Sequence, residues 1–277
     1  MSRLWRASPL TYGALVVATF LSIFPIWWMF VVASRSSDAM GQLPPPVTPG
    51  GNLGANISRL FANTDAYFLA GLINSAIVAT TVTVSVVLFS TLAGFAFAKL
   101  RFRGRNAMLM VIIATMMVPT QLGVIPLYLL MTKLNLNDRL PAVILPALVT
   151  GFGVFMMRQY AGQAISDELI EAARVDGCHT ARIYWNVVLP ALRPAAAVLG
   201  LLTFMTTWND FLWPYAVLND PENPTVQLSL RALSDGYYQD MSQVFTGTAI
   251  ATVPLLLVFV LFGRQIIGGI MEGAVKA

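Results

Sequence analysis

The side chains in this sequence that could do chemistry are few and fall into two groups. The first is Glu171-Ala172-Ala173 with Asp176-Gly177 close behind. Two alanines let another surface approach closely, Glu171 offers a charge to a basic partner, and Gly177 supplies a tight turn. That pattern suits docking rather than catalysis. The second group is Trp208-Asn209-Asp210-Phe211, with Trp213 and Tyr215 following. Aromatic rings stack on sugar faces, and Asn209 and Asp210 can bond hydroxyls, so these residues could line a solute path. Asp210 is also the one candidate for an ion site inside an apolar stretch. The architectural reading is the simpler one: Trp and Tyr form interfacial belts, and a polar turn pins helices together. Met117 and Gln121 flank Pro119, and a proline that frees backbone carbonyls suits a moving element, although methionine also fills space. Asn74-Ser75 is better suited to hydrogen bonds between helices than to cargo contact.

Several chemistries are absent. Cys178 and His179 are the one cysteine and the one histidine, so neither an intrachain disulfide nor a Cys/His metal cluster can form. No Gly-Lys-Ser/Thr phosphate-binding loop occurs. Leu233-Ser234-Asp235-Gly236 is too short a likeness to a nucleotide-binding signature to weigh against that. No cofactor is expected in this chain.

The elements that must position these groups are membrane helices. Of the 277 residues, 57% are apolar and 11% charged, against about 25% charged in soluble domains. A spanning helix needs about 20 mostly apolar residues. Six stretches meet or approach that: Pro9 to Ala33, Gly71 to Ala98, Asn106 to Thr132, Leu140 to Met157, Pro194 to Leu218 and Met241 to Gly263. The first is longer than the roughly 7–15 apolar residues of a signal peptide and reads as an uncleaved anchor. The fold class expected is all-α integral membrane, a single transmembrane domain of six spans.

Basic residues set the orientation. With the N-terminus inside, the cytoplasmic side holds Arg3, Arg6, Lys99, Arg101, Arg103, Arg105, Arg158, Arg174, Arg182, Arg193, Arg264 and Lys276, against Arg35, Arg59, Lys133, Arg139 and Arg231 outside. This excess fits the positive-inside rule, with both termini cytoplasmic. The positive charge then reflects topology and lipid headgroups, not nucleic acid.

One loop is more than a connector. Arg158 to Arg193 is long, cytoplasmic and helically patterned. Ser166 reads as an N-cap, and Asp167 and Glu168 place negative charge in the first turn, where the helix dipole favours it. Gly177 ends the helix. Thr180 to Val188 forms a second helical stretch, with the next span starting at Pro194. The spans lack the run of buried carboxylates and histidines of a proton-driven carrier, so energy is expected to arrive through a docked partner.

Here a family resemblance emerges. Glu171-Ala172-Ala173, then three residues and Gly177, then Leu189-Pro190, resembles the EAA loop of bacterial ABC importer permeases, with Val187 standing where that pattern has isoleucine. Asn74-Ser75, Phe97-Ala98-Lys99-Leu100, Phe102-Arg103-Gly104-Arg105, Met116-Met117-Val118-Pro119, Trp208-Asn209-Asp210-Phe211 and Gly273-Ala274-Val275-Lys276 extend the likeness to the sugar-importer branch, to the second permease of a maltose-type pair. The resemblance implies a type I importer permease fold in the bacterial inner membrane. It implies a second homologous permease, two ATPase subunits that hold ATP and Mg, and an extracellular solute-binding protein. Glu171, Ala172, Ala173, Asp176 and Gly177 would dock on one ATPase, and Gly273 to Lys276 would reach between the two. The acidic loop Asn219 to Asp240 would meet the binding protein. The cargo implied is a di- or oligosaccharide. The alternatives are a non-sugar solute such as glycerol phosphate, or an ion-driven carrier centred on Asp210.

Overall fold

The computed structural model describes residues 8–41, 44–235 and 240–274, with side chains for all of these except 40–41 and 264–274. Among the described residues the chain is helical and has no strand. Five helices are long and apolar enough to cross a membrane, and a bent pair supplies a sixth crossing if counted as one span.

The helices are α1 (Pro9–Ala33), α2 (Leu53–Ala62), α3 (Phe68–Lys99), α4 (Arg105–Met116), α5 (Val124–Lys133), α6 (Leu140–Ile144), α7 (Gly151–Ala164), α8 (Asp167–Val175), α9 (Thr180–Ile183), α10 (Leu189–Trp208), α11 (Leu212–Val217), α12 (Val226–Ser234) and α13 (Met241–Ala274).

Three spans differ from expectation. The stretch Asn106 to Thr132 is not one helix: α4 and α5 meet at 91°. Pro119 is extended, at φ −59° and ψ 126°, and a 3-10 turn over Thr120–Gly123 leads into α5. Proline lacks an amide donor and steers the residue before it away from helical angles, so α4 stops short of it. The fourth stretch is interrupted by a 3-10 turn at Leu145–Ala147, and α7, capped by Thr150, then runs on to Ala164 rather than ending at Met157. The fifth begins earlier than Pro194. The chain is helical from Thr180 to Trp208, with a π turn at Tyr184–Val188, and α11 is a separate helix beyond it. Pro190 is tolerated because it occupies the first turn of α10, where no donor is needed.

The backbone forms two compact units. The first comprises residues up to Phe68 together with Ser229–Val253. In it, the end of α1 is buried at Val31, Val32 and Ala33. The Ala33 carbonyl, left over at the helix end, accepts from Asn56 Nδ2 at 2.7 Å and Thr246 Oγ1 at 3.2 Å. Trp28 packs edge-on against Phe245, and its indole nitrogen donates to the Pro46 carbonyl, tying the proline-rich segment down. Arg59 pairs with Asp240 at 3.0 Å.

The second unit comprises Leu69–Leu228 and Pro254 onward. Its core joins Val82, Val86 and Phe95 of α3 to Met157 and Ala161 of α7, Ile183 of α9 and Leu192 and Leu199 of α10. Two glycines bring backbones close. A Cβ on Gly94 would stand 2.7 Å from the Met157 backbone, and one on Gly153 would stand 2.4 Å from Ser90 Oγ. A buried hydrogen bond of 2.8 Å joins the Thr91 and Tyr184 hydroxyls.

Candidate functional site

The segment between α7 and α10 is almost wholly helical. Ser166 Oγ accepts from the Leu169 amide at 3.3 Å and starts α8. Asp167 and Glu168 follow in the first turn. The Lys99 ammonium bonds to Asp167 at 2.7 Å and, by that bond and its charge, holds the carboxyl below its ordinary value. Glu168 is lowered by a backbone amide and by the Ser166 hydroxyl. At the other end, Gly177 has φ +76°. The Cys178 amide bonds the Ala173 carbonyl and the Gly177 amide bonds that of Arg174, a Schellman ending. His179 Nδ1 then accepts from the Arg182 amide and opens α9. The whole segment is therefore a helix–turn–helix with both ends of α8 capped.

Burial divides α8 sharply. Ile170, 4% exposed, sits in the core, and Ala173 is half-buried. Glu171, Ala172, Asp176 and Gly177 are exposed, as are Leu169 at 48% and Val175 at 89%. A charged helix that turns leucine, alanine and valine outward beside Glu171 presents a mixed surface of the kind that binds protein partners.

The residues considered for a solute path do not gather in one place. Gln121 and Asp210 line a cavity of about 980 Å³ bounded by the α4–α5 break, α7 and α10. Met117 is 82% exposed and does not line it. Asn74 lies at the start of α3, where its amide donates to Asn223 Oδ1 and the Pro224 carbonyl, both at 2.9 Å. Beside it, Ser75 Oγ accepts from the Val226 amide at 2.8 Å. Trp208 is buried and stacks on Phe204. Asn209 bonds the Met205 carbonyl. The Asp210 carboxylate lies at the start of α11, where the Leu212 and Trp213 amides act on it. Gly273 and Ala274 end α13, and Val275 and Lys276 lie outside the described residues.

A family model described as "binding-protein-dependent transport system inner membrane component" matches residues 87–268. The chain belongs to this family. It is 35% identical over 278 residues to the lactose transport system permease protein LacG of Rhizobium radiobacter, covering 100% of both chains. It is 32% identical to the arabinooligosaccharides transport system permease protein AraQ of Halalkalibacterium halodurans, covering 96% of this chain and 95% of that one. It is 30% identical to the sn-glycerol-3-phosphate transport system permease protein UgpE of Yersinia enterocolitica, covering 93% and 94%. In fold it is similar to a chain in the crystal structure of a bacterial ABC transporter involved in the import of the acidic polysaccharide alginate. The TM-score there is 0.78, at 24% identity, over 92% of this chain and 94% of that one.

In this inner membrane component the cavity has members that sequence reasoning passed over. Thr203, Thr206 and Thr207 line it together with Asp210. Their spacing of three, four and seven is one face of α10 continued into its last turn, a polar stripe on an apolar helix. That period was readable, but threonine hydroxyls hide in membrane helices by bonding back to the preceding turn, as Thr206 does to the Leu202 carbonyl. Trp213 also lines the cavity, held by its indole bond to the Ala142 carbonyl.

Proposed function

We propose that this chain is the channel-forming subunit of an ATP-driven importer for a di- or oligosaccharide, and that α8 is where a motor subunit docks. The observation that carries this is the exposure on α8: a nine-residue helix, capped at both ends, that buries Ile170 and turns Leu169, Ala172 and Val175 outward. Glu171, Ala172, Ala173, Asp176 and Gly177 form the docking surface. Gly273 to Lys276 contact the motor pair, which binds ATP and Mg. Charge distribution supports cytoplasmic termini and a cytoplasmic α8. The loop Asn219 to Asp240, on the other side, meets a solute-binding protein. A second, homologous permease completes the channel.

Cavity chemistry favours a neutral cargo. Hydroxyls of Thr203, Thr206 and Thr207, the Gln121 amide and the Trp213 ring suit a saccharide, and among the described residues no Lys, Arg or His lines the space. Asp210 would repel a phosphate ester, so the saccharide named for LacG and AraQ is a better guide to cargo than the glycerol phosphate named for UgpE. The carrier reading rests on that same Asp210, the one carboxylate among the described residues that line the cavity.

Proteoliposomes separate the two. The complete assembly is expected to accumulate labelled oligosaccharide with ATP and binding protein and without an ion gradient. Concentrative uptake by this chain alone, driven by a proton or sodium gradient, would overturn the ATP-driven reading.

A further inference from the structure

α8 is attached to the second unit at two places of different character. Ile170 enters the apolar core. Apolar contact has no preferred direction, so on its own it would let a helix of about 13 Å swivel. The other attachment is the Lys99–Asp167 ion pair at the first turn of α8. Lys99 is 9% exposed and Asp167 is 78% exposed. Lys99 is also the last residue of α3, where a cation is favoured by the helix dipole. The loop that follows α3 closes on itself, through the Phe97–Phe102 ring contact and the Arg105 bond to the Leu100 carbonyl. The ion pair is a polar link from α3 to α8, and the Arg101 charge just beyond α3 also acts on Asp167.

The far end of α3 is gripped as well. From Ser75 to Lys99 the helix runs roughly 36 Å. At that end Asn74 and Ser75 hold Asn223, Pro224 and Val226. Between the two ends α3 and α7 pack closely, Gly94 against the Met157 backbone and Gly153 against the Ser90 side chain, and Thr91 bonds Tyr184. A long helix with directional bonds at both ends, clamped along its length, moves as a rod.

We propose that Lys99 and Asp167 are positioning residues forming a strut from α8 to α3, through which a motor's displacement reaches the segment 223–226 at the other end of α3. This rests on the reading of α8 as the docking helix. The two partners are unequal. Removing the Asp167 charge leaves a nearly buried ammonium facing the positive end of the α8 dipole, whereas removing the Lys99 charge leaves an exposed carboxylate where that dipole favours one.

The test uses the complete importer in proteoliposomes, reading saccharide imported per ATP hydrolysed. Lys99→Gln and Asp167→Asn are expected to keep the ATPases bound and to lower that ratio roughly three- to tenfold, with Asp167→Asn the more severe. The variant carrying both Lys99→Arg and Asp167→Glu is expected to retain the ratio. An unchanged ratio in both single variants overturns the strut. Ala172→Cys in a Cys178→Ser background, cross-linked to the ATPase, tests docking separately. Absence of that cross-link overturns the docking reading, whereas a cross-link with an unchanged ratio overturns the strut alone.

Discussion

The amide of Cys178 donates to the carbonyl of Ala173 at 3.0 Å, across the left-handed turn at Gly177. A Cβ at Gly177 would meet nothing within 4 Å, so a substitution there strains the backbone without a clash. An L-residue at that angle costs about 1–2 kcal/mol, less for asparagine. Gly177→Ala is expected to cut hydrogen-exchange protection of the Cys178 amide roughly tenfold. Gly177→Asn is expected to retain most of it, and uptake with it. Equal protection in both variants would show that the turn does not depend on glycine's backbone freedom.

Gly153 and Ser90 form a pair in which volume decides. Ser90 Oγ is buried with no hydrogen-bond partner, and it occupies the space nearest a Cβ at Gly153. Gly153→Ala alone is expected to destabilise by about 1–3 kcal/mol, as overpacked cores do. Ser90→Ala removes an unpaired hydroxyl and is expected to be neutral or slightly stabilising. The double variant should recover part of the loss, because the nearest remaining obstacles are then Thr150 Oγ1 at 2.9 Å and the residue 90 Cβ at 3.3 Å. Thermal unfolding of the purified complex measures the cycle, and strict additivity would rule out contact between the two positions.

Acid should loosen the first unit through Asp240. Burial raises its carboxyl, but bonds from Ser242 and Gln243 and the Arg59 charge outweigh it and hold the group below 3.8. A depressed carboxylate contributes stability above its unfolded value, and that stability is lost as pH falls through the lower folded value. Protease sensitivity at 240–243 is therefore expected to rise progressively as pH falls from the ordinary carboxylate value towards the lower folded one. Asp240→Asn should show the raised sensitivity at neutral pH and remove the acid-dependent step. A step unchanged in that variant would assign it to another group.

Local features of the segment between α7 and α10 were legible from the chain: the Ser166 cap, the acidic first turn and the left-handed Gly177 each depend on a few neighbouring residues. The break at Pro119 was legible as a kink but not as a 91° bend, because proline stops a helix without setting the direction of the next one. The helical run from Thr180 to Trp208 was obscured by Pro190 and Pro194, which look like boundaries when the π turn between α9 and α10 is not visible. Lys99 and Asp167 stand 68 residues apart, and no local pattern announces that pairing. The Asn74 and Ser75 bonds to 223–226 are equally non-local, which is why two polar residues at a span's start were readable as helix-pinning but not assignable to a partner.

Asp210 offers a direct choice between the two energy sources. As a structural residue it faces the Leu212 and Trp213 amides at the start of α11, and an asparagine oxygen can face the same amides. As an ion site it would need its charge, which asparagine lacks. Asp210→Asn is therefore expected to keep ATP-driven uptake within roughly threefold of the parent, since asparagine keeps the size and an acceptor oxygen. Asp210→Leu keeps neither charge nor acceptor. It is expected to cost about 1–2 kcal/mol in stability, because the Leu212 and Trp213 amides lose the oxygen they face, and to reduce uptake as α11 and Trp213 shift in the cavity wall. Uptake of labelled oligosaccharide and thermal unfolding of both variants decide the matter: abolition of transport by Asp210→Asn in a protein as stable as the parent would make the charge itself the working part.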